Sequence, residues 1–423
     1  MTPDDTAPDP GARRLVIEAI GARADGIARD AQGRAVFVPF ALPGETVEID
    51  DAGAGRVVGP PAPARAAPPC PHFTVCGGCL AQHMPDAVYA DWKRGLVVAC
   101  FAERGLAAAP VGALVRLAGG TRRRAVLTAR RTQGAVALGY HARRSHDLVD
   151  IAVCCVLEPE IVRVLPALRS LVAILAVKEA RLTVLATPAG LDVAVAADLA
   201  RVTPEISSAL ARLAEGHRFA RISLDGNPIL VRAMPALDIA GVAVTPPPGG
   251  FVQAVAAAEE AMRGLVQTGV GNARRVADLF CGVGAFSLAL ARTARVRALD
   301  SDKAALATLS HAARHAQGLK PIEVLARDLF REPLAPGELA GLDAVVLDPP
   351  RAGAEAQAQA LSVSDVPLVA YVSCNPATLA RDARHLTAGG YAIEAVTPID
   401  QFLYSDHVEA VAILRKPARR RRR

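Results

Sequence analysis

Cys374 lies directly after an apolar run, Pro367 to Ser373, and directly before Asn375-Pro376, which end a strand. A cysteine delivered at a strand end can serve as a nucleophile, because its thiolate attacks soft electrophilic carbon. His407-Val-Glu409 opens another apolar run, Val408 to Leu414, and sets a carboxylate where a general base could stand. A third run, Leu342 to Leu347, ends in Asp348-Pro-Pro-Arg351. Two consecutive prolines cannot continue a strand ladder, so Asp348 is presented in a fixed pose. Each residue alone has a plain structural reading: a small buried thiol, a solvated edge carboxylate, a turn acid. It is their joint delivery to one edge of one sheet that points to chemistry.

The run from Val276 to Gly284 reads VADLFCGVG, an apolar strand entering a glycine turn that opens a helix from Ala285. Gly282 and Gly284 let the backbone approach a ligand closely. Two further short strands, Val296 to Leu299 and Ile322 to Leu325, lead to Asp300 and Asp328. An acid at Asp300 suits the ribose hydroxyls of an adenosine-containing cofactor, and Asp328 is placed to meet an adenine amino group. A GxGxxG dinucleotide fingerprint fits poorly, since Ser287 occupies the third glycine position. The turn resembles instead motif I of class I S-adenosylmethionine methyltransferases.

A separate cluster holds Cys70, Cys76 and Cys79, with five and two intervening residues. Cys154 or Cys155 could supply a fourth thiolate. Four soft sulfur ligands suit zinc or an iron–sulfur cluster. Zinc favours two paired C-x₂-C knuckles, whereas this spacing plus one distant cysteine fits a cubane better.

The elements that must position these groups fall into four stretches. From Arg13 to about Val58, short alternating strands broken by Gly26, Gly33 and Pro43-Gly44 predict a small β-barrel. A Pro/Ala linker runs from Gly59 to Pro69. The cysteines follow, then a helix from about Pro85 to Gly105. Strands dominate from Gly119 to about Gly250, including Arg124 to Thr128, Val136 to His141 and Leu191 to Ala196, with a helix near Pro159 to Leu175. From Phe251 onward strand and helix alternate, which predicts a parallel sheet with crossover helices. At 423 residues, 52% apolar and 21% charged, the chain has room for two or three domains with large cores and is not a disordered scaffold. Its net charge of +6 leans mildly toward an acidic partner such as RNA. The start, Met1 to Pro10, is acidic and proline-rich and lacks the features of a secretion signal. The most apolar helical stretch, 161–177, contains Arg163, Pro166 and Arg169, which argues against a bilayer span. A cytoplasmic location with reduced or metal-bound cysteines is expected.

Asp-Pro-Pro-Arg at 348–351, Ser-Cys-Asn-Pro-Ala-Thr at 373–378, His-Val-Glu at 407–409 and Phe-Val-Gln at 251–253 occur in this order. Together they resemble the RNA uracil-5-methyltransferase family over nearly the whole chain. The resemblance implies Cys374 as nucleophile, Glu409 as base, and Gln253, Phe280, Asp300, Asp328 and Asp348 lining the cofactor and substrate sites. It also implies S-adenosylmethionine as methyl donor and a 4Fe–4S cluster on Cys70, Cys76, Cys79 and Cys154. Cys154 is preferred because the family pattern Cys-x-Val-Leu-x-Pro falls on 154–159, with Cys155 as runner-up. The N-terminal barrel, with Ala-Leu-Pro-Gly-Glu at 41–45, resembles a TRAM domain, an OB-like RNA-binding module. It departs from the family between Asp50 and Val57; further on, Ala285 stands where an asparagine is common in the cofactor loop, and Ala254 follows Gln253 without the frequent asparagine nearby. Arg143-Arg144-Ser-His146 also matches a basic segment of the family.

The expectation is therefore an α+β multidomain protein: residues 1–58 a TRAM-like barrel, 59–250 a β-rich central domain with the iron–sulfur site, and 251–423 a Rossmann-like methyltransferase, with the helix at 85–105 packed on the last of these. The expected reaction is methylation of uridine C5 in 23S ribosomal RNA, by a monomer that binds neither membrane nor DNA. Basic candidates for RNA contact are Arg122 to Arg124, Arg130-Arg131, Arg143-Arg144 and the Arg419–Arg423 tail. Rival readings are tRNA uridine methylation, a non-catalytic RNA-binding or assembly factor, and an amino-group methyltransferase. A binding module needs neither Cys374 nor Glu409. Amino-group methyltransferases carry an aromatic residue where Arg351 stands, and they need no cysteine.

Overall fold

The computed structural model describes residues 13–50, 53–63, 65–132, 134–199 and 201–417, and every count of strands or partners is of those residues. The acidic start Met1–Pro10 and the Arg419–Arg423 tail lie outside the described residues.

The first unit consists of two three-stranded antiparallel sheets. One joins Arg13–Val16, Thr46–Ile49 and Gly55–Val58; the other joins Ala19–Ile20, Gly26–Arg29 and Ala35–Val38. They close over Ile17, Ala28, Val38, Ala41, Val47 and Ile49. Gly26 permits that closure, since a Cβ there would stand 2.8 Å from the Ala41 carbonyl oxygen. Its Arg14 and Arg56 are both drawn onto Glu48, at 2.9 and 3.0 Å.

The central unit is a seven-stranded sheet, in the order Asn227–Val231, Phe219–Leu224, Gly190–Ala196, Glu179–Thr187, Arg124–Thr132, Ala135–His141, Leu148–Asp150. Helices Leu165–Leu175 and Pro204–His217 cover it, burying Leu168, Leu171, Val172 and Leu210. The single helix expected over 159–175 is two, Pro159–Arg163 and Leu165–Leu175, parted at Val164. Pro166 is the physical reason: its ring removes a backbone donor and is tolerated only in a first helical turn.

In the third unit the strands are β1 (Arg275–Leu279), β2 (Arg295–Asp300), β3 (Ile322–Ala326), β4 (Ala344–Leu347), β5 (Leu368–Ser373), β6 (Ala392–Ile399) and β7 (Glu409–Arg415). Their spatial order is β3-β2-β1-β4-β5-β7-β6. All pairs among β1 to β5 are parallel, while β7 runs antiparallel to both β5 and β6. The two strands β4 and β5 are buried along their whole length, as covering of both faces requires, whereas β1, β2 and β3 each carry at least one exposed residue. The helix expected from Ala285 is confined to Ser287–Leu290, buried on every side. The helix Asp86–Glu103 packs Val97 and Phe101 into the same core as Leu379, Ala383 and Leu386 of helix Pro376–Ala388. The hairpin Leu237–Ile239/Val242–Val244 likewise enters the core around β1 and β2. No helix among the described residues is long and apolar enough to cross a membrane.

Candidate active site

The chain leaves β1 outward to β2 and β3, then returns to β4 on the other side of β1. In doubly wound sheets a ligand crevice forms at that switch, outside the carboxyl ends of the strands. The glycine turn follows β1, Asp300 ends β2, Asp348 follows β4 and Cys374 follows β5. Glu409 begins β7, and because that strand is antiparallel its first residue lies at the same edge. The register sets Ser373 opposite Ala410, so Cys374 and Glu409 face one another one step further out.

A cavity of about 400 Å³ occupies this edge, lined by Gln253, Phe280, Asp300, Asp348, Cys374 and Glu409 among others. Asp328 is not part of the lining. Its carboxylate accepts the backbone N–H of Phe330 at 3.0 Å and so caps the turn that carries Phe330 to the cavity wall.

The glycine turn is strongly constrained. Gly282 (φ 52°) and Gly284 (φ 94°) are left-handed, and so is Phe280 (φ 63°), which costs a non-glycine residue about 1 kcal/mol or more. Asp300 accepts the Gly282 N–H at 2.8 Å and the Asp302 N–H at 2.9 Å. Behind the turn, buried Asp278 accepts the Ser287 hydroxyl at 2.5 Å. Ser287 thus has a structural use where a dinucleotide site would have glycine. The turn, Asp300 and the Phe280–Phe330 pair, with ring centroids 5.3 Å apart, form a cradle whose donors and apolar faces fit an adenosine.

At the other end of the cavity a hydrogen-bond chain joins the two carboxylates. Gln253 Nε2 donates to Asp348 at 3.2 Å, and Gln401 Nε2 donates to Gln253 Oε1 at 2.9 Å and to Glu409 at 3.0 Å. Burial raises Glu409 to about 7, against the Gln401 hydrogen bond that lowers it. Burial and the neighbouring Glu409 and Asp278 charges hold Asp348 far above the usual carboxylate range. Cys374 is pushed up to about 11 by burial and by the Glu409 and Asp348 carboxylates, and Arg351 opposes them. Asn375 fastens the two loops: Nδ2 donates to the Arg351 carbonyl at 2.9 Å, and its Oδ1 caps the helix Pro376–Ala388. Gln401 was not foreseen from sequence. The available signal was the polar pair Asp400-Gln401 directly after an apolar strand, the same punctuation that marks the other strand ends.

The second constellation also assembles. Cys70, Cys76, Cys79, Cys154 and Cys155 all line one cavity of about 360 Å³. Cys76 is bridged to Ala142, one residue past the central-sheet strand Ala135–His141, and Gly77 donates to the His141 carbonyl at 2.9 Å. Burial pushes Cys79 up to about 12 and Cys155 up to about 11, and neighbouring cysteine thiolates add to both. Among the described residues no group of three or more His, Cys, Asp or Glu side chains already stands in metal-holding geometry. The chemistry of the donor set nevertheless suits a thiophilic group: five sulfurs around one pocket.

Several arginines expected at an RNA surface are engaged within the protein. Arg123 is buried and paired with Glu259 at 2.6 Å, and Arg130 pairs with Glu179. Arg143 pairs with Asp25 at 2.7 Å and stands over the Phe40 ring, clamping the first unit to the central one. Arg124 stacks over Phe251, which is 67% exposed at the rim of the catalytic cavity.

The tRNA (Uracil-5-)-methyltransferase family model matches residues 338–417, the methyltransferase small domain 253–363 and the TRAM domain 13–50. The chain is 47% identical to an uncharacterized RNA methyltransferase of Rhizobium meliloti, covering 95% of this chain and 99% of that one. It is 33% identical to the 23S rRNA (uracil(1939)-C(5))-methyltransferase RlmD of Chromohalobacter salexigens, over 98% and 91% of the two chains. In fold it resembles the crystal structure of Pyrococcus abyssi tRNA (uracil-54, C5)-methyltransferase in complex with S-adenosyl-L-homocysteine. That match has a TM-score of 0.72 at 22% identity, over 95% of this chain and 99% of that one.

Proposed function

This chain belongs to the RNA uracil-5-methyltransferase family, and from that premise we propose that it methylates C5 of a uridine in 23S ribosomal RNA through a covalent Cys374 adduct. The observation that carries the mechanism is the convergence of Cys374, Asp348 and Glu409 on one cavity beside the glycine turn. The ribosomal target draws on the RlmD relative.

Uracil C5 is too weak a nucleophile to take a methyl group directly. The Cys374 thiolate adds to C6, and the electron pair of the C5–C6 bond moves into an enolate at C4. S-adenosylmethionine, when bound, supplies an electrophilic methyl group; the glycine turn, Phe280 and Asp300 would hold it, with Asp328 supporting the Phe330 turn. Asp348, whose protonated form burial favours, is suited to donate a hydrogen bond to the enolate edge of the ring. Once C5 carries the methyl group, the Glu409 carboxylate removes the C5 proton, and the returning electrons expel the thiolate. The target base must leave its stack to reach this depth.

Both reacting groups act in deprotonated form, and burial favours the protonated form of each. The single-turnover rate is therefore expected to rise with pH through about 7, where Glu409 ionises, and to keep rising as the thiolate fraction grows. A rate that is flat from pH 6 to 9 would count against these roles.

The cysteine pocket would hold a 4Fe–4S cluster on Cys70, Cys76, Cys79 and Cys154, with Cys155 as the alternative fourth ligand. Protein purified without oxygen is expected to be brown and to contain iron and sulfide; zinc alone would overturn this assignment. Along the chain we take the units as 1–58, 59–250 and 251–423, with helix Asp86–Glu103 and the hairpin Leu237–Ile239/Val242–Val244 packed on the last of these, and we propose a cytoplasmic location to go with an RNA substrate.

Mapping 5-methyluridine in RNA from a strain lacking the gene tests the target. Loss of one 23S position, restored by the wild-type gene, is the expected result. Loss confined to tRNA would move the assignment to the tRNA branch.

A further inference from the structure

Lys93 is completely buried, and the reaction as described does not use it. It stands on the helix Asp86–Glu103, more than 300 residues before the loop it touches. Its ammonium donates to the backbone carbonyls of Phe402 at 3.0 Å and His407 at 2.5 Å, and pairs with Asp400 Oδ1 at 3.1 Å. Three donors meet three acceptors, which satisfies the ammonium's full capacity. Tyr89, one turn earlier on the same helix, donates to Asp400 Oδ1 at 2.9 Å and accepts the Tyr404 N–H at 2.8 Å. A charge buried this deeply is expensive unless it is paired, so its retention here calls for a use.

The loop it grips, 400–408, is irregular and joins β6 to β7. Gln401 follows Asp400 directly, and Glu409 lies two residues beyond His407. The Gln401 amide is the group that donates to Glu409, at 3.0 Å, and to Gln253, at 2.9 Å. Lys93 therefore fastens both ends of the segment that carries the hydrogen-bond donor to the base.

We propose that Lys93 is a positioning residue for the proton-removal step, holding the 400–408 loop so that Gln401 fixes the Glu409 carboxylate toward the substrate. This rests on Glu409 being the base. The site is then assembled from two distant parts of the chain, and helix Asp86–Glu103 serves as the fastening of a catalytic loop.

The test uses the full-length protein and 23S ribosomal RNA from a strain lacking the gene. Lys93→Met alone would leave the buried Asp400 charge with only the Arg116 guanidinium, at 4.0 Å, so the variant of choice is Lys93→Met/Asp400→Asn, which removes the Lys93 and Asp400 charges together. If Lys93 positions the loop through its carbonyl contacts, the folded double variant loses tenfold to a hundredfold in kcat. Its KM for RNA stays within about threefold of wild type, and a protein–RNA adduct accumulates. A cooperatively melting double variant with wild-type turnover would overturn the proposal, as would a loss of turnover without adduct.

Gln401→Leu keeps the side-chain volume and introduces no charge, so it decides the matter if the double variant does not fold. It should show the same kcat loss and the same adduct, and wild-type turnover would again overturn the proposal. Combined with a folded Lys93→Met/Asp400→Asn, it should add no further loss. Glu409→Gln run alongside separates the two failures. If it traps no adduct, the base assignment falls and this proposal with it; if it traps adduct while the folded double variant turns over normally, only this proposal falls.

Discussion

Cys374→Ala is expected to lower methylation by about four orders of magnitude or more while S-adenosylmethionine binding stays near wild type. Without the thiolate no bond forms at C6, no enolate forms at C4, and C5 never becomes nucleophilic. The cofactor cradle does not depend on this side chain: the glycine turn is held by Asp300, at 2.8 Å from the Gly282 N–H. Its support comes from β1 and β2, whereas Cys374 stands after β5. Equilibrium binding of the methyl donor, measured beside single-turnover methylation of unmodified RNA, separates the two effects. Cys374→Ser is expected to be nearly as inactive, since an alcohol at neutral pH supplies almost no oxyanion. Substantial turnover by either variant would remove the covalent route altogether.

Glu409→Gln should give the second largest effect, with a different signature. Addition and methylation no longer need the carboxylate, but the C5 proton has no acceptor, so the thiolate cannot leave. Turnover is expected to fall by about 10²–10⁴-fold, and a protein–RNA adduct should persist through denaturing electrophoresis. The fold should tolerate the change. Glu409 is raised by burial to about 7 from the ordinary 4.5, so the native state is penalised for its charge as pH rises through that interval. Glutamine carries no such penalty. The melting temperature of the variant relative to wild type is therefore expected to climb between pH 5 and 8. An inactive variant with no adduct would take the base role away from Glu409.

The strand-end residues were legible because the signals that announce them are local. Apolar runs of strand length, stopped by Gly282, by Pro349-Pro350 or by Asn375-Pro376, mark where a buried parallel strand reaches the sheet edge. Asp348, Cys374, Asp300 and Phe280 were found this way or by motif, and all four line the cavity. Spacing likewise grouped Cys70, Cys76 and Cys79, which share one pocket with both Cys154 and Cys155, the two candidates left open for a fourth thiolate. Asp328 shows the limit. An acid after a strand was legible, and its Oδ1 accepts the N–H of Phe330 two residues on, but nothing local says whether the carboxylate also meets a ligand.

The sequence by itself determined which side chains would be available for chemistry, because residue type and strand punctuation are properties of a few neighbours. Tertiary structure alone decided how they meet. Glu409 reaches Cys374 because β7 inserts antiparallel between β5 and β6, which reverses the direction of one strand and brings its beginning to the edge where the others end. Gln401 and Lys93 acquire their places only when helix Asp86–Glu103 packs back across the chain onto the loop before β7. Burial supplies the reason these pairings hold: with water excluded, the Lys93 ammonium and the Gln401 amide keep the partners the fold brings to them.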